Sequence, residues 1–494
     1  MIEVLSNENM RLSDNKTIEN GKSGISLMYD AAIGIYNSTS WYGRVGIVCG
    51  NGNNAGDGYA LAWILKQNGI DVSVIRLTER FSPDGKYYYD KCKENDVFEL
   101  MYKEDTGFDY DIIVDCIFGT GFKGSADGVF RDAILKINES GSYVISADIN
   151  SGLNGDNGLC DIAVRSDLTV SVGSYKSGHF LGMAKDYIKE KVNVDIGITP
   201  IEKPYYLIEE NDVKSVFSER LNFSNKGTYG YATLIGGCTE YSGAMKLANM
   251  AVSALRSGAG VVRLASAKSL SYAYLPYLLE STFYPLSDTD GSIMFNKEEI
   301  DGALKGARAV AIGMGIGQKS QAYEIVKYVL ENYEIPVIID ADGLNALSSN
   351  VDVLKNTKCR VVLTPHIAEF ERLSKVSRKD ILENPIYYSK KFASEYNVTL
   401  LLKGTSTIIT DGENVVISDT GCAGMATAGS GDVLSGILLG IFSQASSDVS
   451  ALMCTSVGAY INGKAGELAQ KRNGAISMLS SDTASCIPDV LKNI

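Results

Sequence analysis

The 494-residue sequence predicts two successive α/β domains, each built on a mostly parallel sheet with both faces covered. Three observations carry that prediction. The chain is too long for a single hydrophobic core. Short runs rich in Val, Ile and Thr alternate with helical patterns in both halves, the order that a parallel sheet requires. Motifs rich in Gly, Asn and Asp fall where those strands end, and an open α/β sheet binds its ligand there.

In the first half, Ile25, Leu27, Met28, Ala31, Ala32 and Ile35 mark an amphipathic helical segment between residue 10 and about 40. Residues 44–49 read as a strand, GNGNNAGDG (50–58) as a turn, and 59–67 as a helix ended by Gly69. Further strands are expected over 71–77, 111–118, 142–149 and 167–172. The cluster Tyr87, Tyr88 and Tyr89 fits helix packing. Four polar clusters follow strands: Asn53, Asn54 and Asp57; Asp115 with GTGFKGS (119–125); Asp148 and Ser151 in DINSGLNGD; and Lys176 with His179 in GSYKSGH. A plain turn explains any one of these loops. Turns alone do not explain four converging on one sheet edge.

Pro200, Pro204 and a charge run place a boundary near 205, giving domains 1–205 and 206–494, with a short helix over 212–221. In the second half strands are expected over 231–235, 261–265, 307–312, 335–339, 360–363, 398–402 and 415–418, and helices over 245–257, 430–443 and 448–471. The most informative stretch is GMATAGSGDVLSG (424–436). Glycines and small residues at the mouth of a buried helix let backbone N–H groups approach an anion, which the helix end favours. Asp432 in the first turn is expected to stay ionised and to be available as a base. A glycine-rich helix start with an Asp cap is the plainer reading of that stretch alone. No Walker A sequence occurs in either half.

The formal charge of −13 argues against a nucleic-acid or anionic-membrane surface. Nine scattered cysteines without a C-x-x-C pair, among them Cys49, Cys116 and Cys238 beside strands, suit a reducing cytoplasm. The polar N-terminus is no signal peptide, and no apolar run reaches the ~20 residues of a membrane span. A cytoplasmic homo-oligomer is expected.

CGNGNNAGDG, DCIFGTGFKG and DINSGLNGDNG, in this order, resemble the epimerase domain of the bifunctional NAD(P)H-hydrate repair enzymes over about residues 1–200. The resemblance implies a Rossmann-like domain that interconverts the R and S hydrates of NADH or NADPH. Asn53, Asn54, Ala55, Gly56 and Asp57, with Gly119, Thr120, Gly121, Phe122, Lys123, Gly124 and Ser125, would line the hydrate. Asn54, Asp115 and Ser151 would hold a potassium ion, and Asp148 and Lys123 would be the acid–base and charge-stabilising groups. Such groups suit a reaction that needs proton transfer and stabilisation of an iminium-like intermediate. The chain departs from the family pattern at Ala55 (usually Gly), Asn150 (usually Pro) and Tyr29 (usually acidic).

YSGA, GMGIG, DADGLN, TPH, LLKG and GMATAGSGD resemble the dehydratase domain of the same enzymes over 223–494, a ribokinase-like fold. Pro276 and Glu280 echo a further family stretch only in part and receive no role. The resemblance implies that ADP or ATP phosphorylates the hydrate, which then loses phosphate to restore NAD(P)H. The nucleotide would rest on Lys403, Gly404, Thr405, Ser406, Thr407 and Gly431, and the hydrate on Ala244, Gly315, Gly317, His366 and Asp432. Asp432 would be the base, the backbone of 429–431 the anion hole, and magnesium would be held largely by phosphates and water. His366 is read as a ligand contact and His179 as structural; Asp340 and Asp342 are read as turn caps outside the catalytic set. The rival readings are a kinase of a small vitamin-like alcohol, which would leave a stable phosphorylated product, and a nucleotide-binding scaffold or sensor with one silent half. The presence of Asp148, Lys123 and Asp432 argues against the scaffold.

Overall fold

Buried strands alternating with helices divide the chain into two units, Glu3–Tyr205 and Tyr206–Ile494 with Met1–Ile2. The computed structural model describes residues 1–217, 221–254 and 259–492. None of its described helices is long and apolar enough to cross a membrane.

The first unit is built on strands β1 (Arg44–Cys49), β2 (Asp71–Arg76), β3 (Phe98–Met101), β4 (Ile112–Cys116), β5 (Tyr143–Ala147), β6 (Ser166–Val172) and β7 (Ile188–Val194). They lie in the order β3-β2-β1-β4-β5-β6-β7 and every pairing is parallel. Burial on both faces explains why β1 reads as a continuous apolar run. Val45, Ile47 and Cys49 join the core beneath one set of helices, and Val48 joins the core on the opposite face.

Residues 10–40, expected as one segment, form two helices, α1 (Asn7–Glu19) and α2 (Gly24–Asn37). The chain breaks at Gly21, whose φ of 105° favours glycine, and Ser23 caps the second helix by accepting from the Ser26 N–H. The motif at 50–58, expected as a turn, is largely helix: α3 spans Asn53–Gln67. Packing explains two of its glycines. A Cβ at Gly56 would stand 2.4 Å from Met28 Cε, and one at Gly58 would stand 3.0 Å from the thiols of Cys49 and Cys116. Helix α4 (Pro83–Glu94) carries the tyrosine cluster, with Tyr88 buried in the core. Helix α5 (Val129–Glu139) covers the other face through Ala133, Ile134 and Ile137. The short strand Ile2–Leu5 pairs in parallel with Tyr175–Lys176, Val4 opposite Tyr175.

The second unit contains β8 (Tyr205–Leu207), β9 (Tyr231–Ile235), β10 (Val261–Ala267), β11 (Ser281–Leu286), β12 (Ala307–Ile312), β13 (Val337–Ile339), β14 (Val361–Leu363), β15 (Thr399–Leu402), β16 (Thr407–Thr410) and β17 (Val415–Ser418). Their order is β11-β10-β9-β12-β13-β14-β15-β16-β17-β8, parallel except where β16 runs against β15 and β17. Helix α6 (Ser242–Ala254) starts earlier than expected, and residues 255–257 of the expected helix lie outside the described residues. The helix expected over 212–221 is a turn at Glu210–Val213 followed by the 3₁₀ turn Lys214–Val216; residues 218–220 lie outside the described residues.

Helix α7 (Ser430–Gln444) is buried all round from Val433 to Ser443, so it reads as an unbroken apolar run. Gly436 lets it meet α6, because a Cβ there would stand 2.3 Å from the Ala248 carbonyl oxygen. Helices α8 (Ala451–Asn473) and α9 (Ser480–Leu491) complete this layer.

Candidate active sites

Each unit carries a cavity at the ends of its strands. In the first, a cavity of about 620 Å³ is walled by α1, α2, the start of α3 and the loop after β4, with Asp148 and Lys176 in its wall. Asp148 follows β5 with a φ of 64°, a left-handed backbone that costs a non-glycine residue about 1–3 kcal/mol. That backbone sets its carboxylate against Lys176. The Lys176 ammonium, 1% exposed, donates to Asp148 Oδ1 and, at 2.7 Å, to the Val172 carbonyl.

His179 fixes the two together. Its Nδ1 accepts from the Lys176 N–H at 2.9 Å, and its Nε2 donates to the Asp148 carbonyl at 2.8 Å. Burial, with the Lys176 charge adding to it, lowers His179 to about 4, so the ring is neutral. Burial alone would raise Asp148, but the charge and hydrogen bond of Lys176 bring it below the usual carboxylate range. The cavity therefore holds an ionised Asp148–Lys176 pair.

Lys176 is the residue that sequence reasoning left out of the site, although GSYKSGH at a strand end signalled it. Lys123, expected with Asp148 as an acid–base and charge-stabilising group, is exposed on the cavity wall, and the buried ammonium at Asp148 is that of Lys176. Asn53, Asn54, Asp57, Gly119, Thr120, Gly121 and Phe122 line the cavity as expected, with the Thr120 N–H 3.4 Å from Asp148 Oδ2. Ala55 and Gly56 stand behind the wall in the buried face of α3, and Gly124 and Ser125 lie outside it, the Ser125 hydroxyl donating to Asp161 at 3.1 Å.

Two of the three residues expected at potassium meet at one carbonyl, and the third, Asp115, joins them through Ser151. Asn54 Nδ2 donates to the Phe118 carbonyl at 2.8 Å, and Ser151 Oγ lies 3.3 Å from the same oxygen. Ser151 also donates to Asp115 through its hydroxyl and its N–H, while Ser146 donates at 2.9 Å. Asn54 Oδ1 is buried without a hydrogen-bond partner among the described residues. A buried oxygen without a donor, beside a carbonyl and a carboxylate, is a donor set that fits a hard monovalent cation.

In the second unit a cavity of about 830 Å³ is lined by Ala244, Gly315, Gly317, Asp342 and Asp432. Asp432 is the third residue of α7, after Gly429 with φ 93°. It was expected to stay ionised at the helix end. Instead burial first, then the charge of Asp340, push it up to about 7 against the opposing Lys403; desolvation outweighs the helix dipole here. Asp340, buried at the end of β13, accepts from Lys403 Nζ at 3.0 Å and from Ser435 Oγ at 2.7 Å. Burial would lower Lys403, but Asp340 and Glu369 hold it above the usual lysine range, so it is a fixed positive charge.

Gly431 sits over that pair: a Cβ there would stand 3.3 Å from Lys403 Nζ and 3.5 Å from Asp340 Oδ2. Gly315 and Gly317 have φ of 59° and 78°, and a Cβ on Gly315 would lie 2.5 Å from the Tyr241 carbonyl. Asp342 accepts from the Gly317 N–H at 3.1 Å. Asp340 and Asp342, read from the sequence as turn caps, thus support the two sides of the site, and DADGLN was the signal for both.

His366 caps helix Ile367–Ser374, its Nδ1 accepting from the N–H groups of Ala368 and Glu369 at 3.1 and 3.3 Å. Its side chain is half exposed, outside the cavity wall. Gly404 and Thr405 are exposed in the turn after β15, Ser406 donates to Asp419 at 2.8 Å, and Thr407 opens β16.

Residues 232–489 match the family described as NAD(P)H-hydrate dehydratase, and residues 26–178 match that described as YjeF-related protein N-terminus. Bifunctional NAD(P)H-hydrate repair enzymes Nnr of Moorella thermoacetica and Methanothermobacter thermautotrophicus are 32% and 33% identical, over 91% of this chain and 88% and 87% of theirs. That of Coxiella burnetii is 28% identical over 98% of both chains. A crystal structure of the ADP/ATP-dependent NAD(P)H-hydrate dehydratase of Bacillus subtilis, co-crystallised with ATP and Mg2+, is 28% identical with a TM-score of 0.51, covering 58% of this chain and 98% of that one.

Proposed function

The chain belongs to the bifunctional NAD(P)H-hydrate repair enzymes, and from that premise we propose how its own residues carry out the two steps of the repair. The first unit epimerises R- and S-NAD(P)H hydrates, and the second dehydrates the S form with ADP or ATP. The observation that carries this reading is the pair of sites: Asp148 on buried Lys176 in one unit, Asp432 beside the Asp340–Lys403 pair in the other.

In the second unit Asp432 takes the proton of the hydrate hydroxyl as its oxygen attacks the terminal phosphoryl group. Lys403 and the N–H groups at the start of α7 hold the charge that accumulates on the phosphoryl oxygens. The phosphorylated carbon then loses phosphate with the C–O bonding pair, the ring nitrogen lone pair closes C=N⁺, and loss of a proton from the neighbouring carbon restores the dihydropyridine. Asp342 in the cavity wall would offer oxygen donors to a magnesium ion held on the nucleotide phosphates, and the ion would supply charge neutralisation there. In the first unit a potassium ion on Asn54, Asp115 and Ser151 would fix the Phe118 loop that meets the hydrate.

The test is recovery of reduced-nicotinamide absorbance from mixed R/S NADH hydrate with magnesium, potassium and either nucleotide. Full recovery is expected. A stop near the S fraction would refute the epimerase half, and a stable phosphorylated product without recovery would refute the dehydratase half. A pH dependence follows from Asp432. A base works unprotonated, so kcat/KM for dehydration should rise as pH rises through about 7 and fall roughly tenfold per unit below it. A flat profile from pH 6 to 8 in steady-state assays would remove Asp432 from that role.

A further inference from the structure

The first cavity holds carboxyls that the Asp148–Lys176 pair does not employ. Asp14 on α1 and Asp57 on α3 both line it. Among the described residues neither side chain carries a hydrogen bond or an ion pair. Lys176, the buried ammonium in the wall, is held by Asp148 and the Val172 carbonyl. The remaining charged groups facing the space are Arg11, which is paired with Glu8 at 2.7 Å, Asp84 and Lys123.

Epimerisation at the hydrated carbon needs a group that gives a proton to the leaving hydroxyl. Asp148, ionised against Lys176, is poorly suited to give one. We propose that Asp14 is a further catalytic residue of the epimerase, donating a proton to the hydroxyl that leaves the hydrated ring. This rests on the epimerase reading above. The C–O bond breaks with its electron pair leaving as water, and the ring nitrogen lone pair closes C=N⁺. The Asp14 and Asp148 carboxylates face the cation so formed. Water then adds to the opposite face and returns its proton to the carboxyl cluster, so neither a net proton nor an oxidant is consumed.

Titration separates Asp14 from its neighbour. Burial, with Asp148 adding to it and Lys176 opposing, raises Asp14 to about 6. Burial and the charges of Asp148 and Asp14 push Asp57 well above the carboxylate range. A group that titrates near working pH both gives and takes a proton, and Asp14 is that group.

The experiment measures R-to-S conversion by chromatographic separation of the epimers, without nucleotide, for the full-length wild type, Asp14→Asn and Asp14→Glu. For Asp14→Asn a kcat about 10²-fold lower is expected, with KM within about threefold and dehydration of the S form at the wild-type rate. Asp14→Glu, which keeps an ionisable carboxyl, should recover part of kcat. A kcat near wild type, a loss confined to KM, or a Glu variant no better than Asn would each overturn the proposal. A wild type without epimerase activity would instead sink the reading on which it rests.

Discussion

Replacing Asp432 by Asn is expected to lower the dehydration rate by about 10²–10⁴-fold, the range of a positioned general base, and to leave epimerisation at its wild-type rate. Asparagine keeps the size of the side chain and its place in the first turn of α7, but it cannot take the hydroxyl proton. The loss should fall on kcat, because the cavity wall of Ala244, Gly315 and Gly317 is untouched. Stability gives an independent control. The folded pKa of Asp432 is raised, so its ionised form is disfavoured in the fold, and wild-type stability declines as pH rises from the ordinary carboxylate range towards about 7. Removing that carboxyl should therefore hold or raise the melting temperature at pH 8. A variant that lost activity by unfolding would melt earlier. Single-turnover assays with S hydrate and calorimetry at pH 8 check both statements, and undiminished dehydration would reassign the base.

The central strands were legible because burial on both faces makes them short continuous apolar runs, whereas the part-exposed edge strands Phe98–Met101, Ile188–Val194 and Ser281–Leu286 were not expected. Tyr231–Ile235, Ala307–Ile312 and Val415–Ser418 coincide with their expected bounds. The start of α3 was not legible. Asn53, Asn54 and four glycines read locally as a turn, and only the approach of Met28 and of the Cys49 and Cys116 thiols shows that Gly56 and Gly58 serve helix packing. Residues that line the cavities were legible where a motif marked a strand end. What stayed hidden was pairing: a sequence does not show that Lys176 meets Asp148 across 28 positions, or that Lys403 meets Asp340 across 63.

The departures from the family pattern resolve in the same terms. Asn150 is buried, donating to the Val164 carbonyl at 2.8 Å and to Ser166 Oγ at 3.0 Å and accepting from Thr169 at 2.6 Å, so hydrogen bonds fix a loop position where the family usually has proline. Tyr29 lies outside the cavity wall, its ring 6.1 Å from that of Trp63.

The second large effect concerns Asp148→Asn. Lys176 is 1% exposed and Asp148 14%, and their contact is the one ion pair of that ammonium among the described residues. Breaking a buried pair by removing one partner leaves an uncompensated charge and typically costs about 3–5 kcal/mol. The cost should appear in the first unit, and the chain offers a probe for it. Both tryptophans, Trp41 and Trp63, lie within Glu3–Tyr205, so fluorescence during urea unfolding of the full-length protein reports that unit. The Asp148→Asn transition is expected at markedly lower urea, with epimerisation lost and S-hydrate dehydration retained. Recovery from mixed hydrate should then stop near the S fraction. The double variant Asp148→Asn with Lys176→Met removes the stranded ammonium and should regain much of the stability, yet no epimerisation, since the ionised pair is gone. That combination separates the structural part of the pair from its chemical part. If the single variant unfolds at the wild-type urea concentration and still epimerises, the Asp148–Lys176 pair is neither the clamp of this cavity nor its charge-stabilising group.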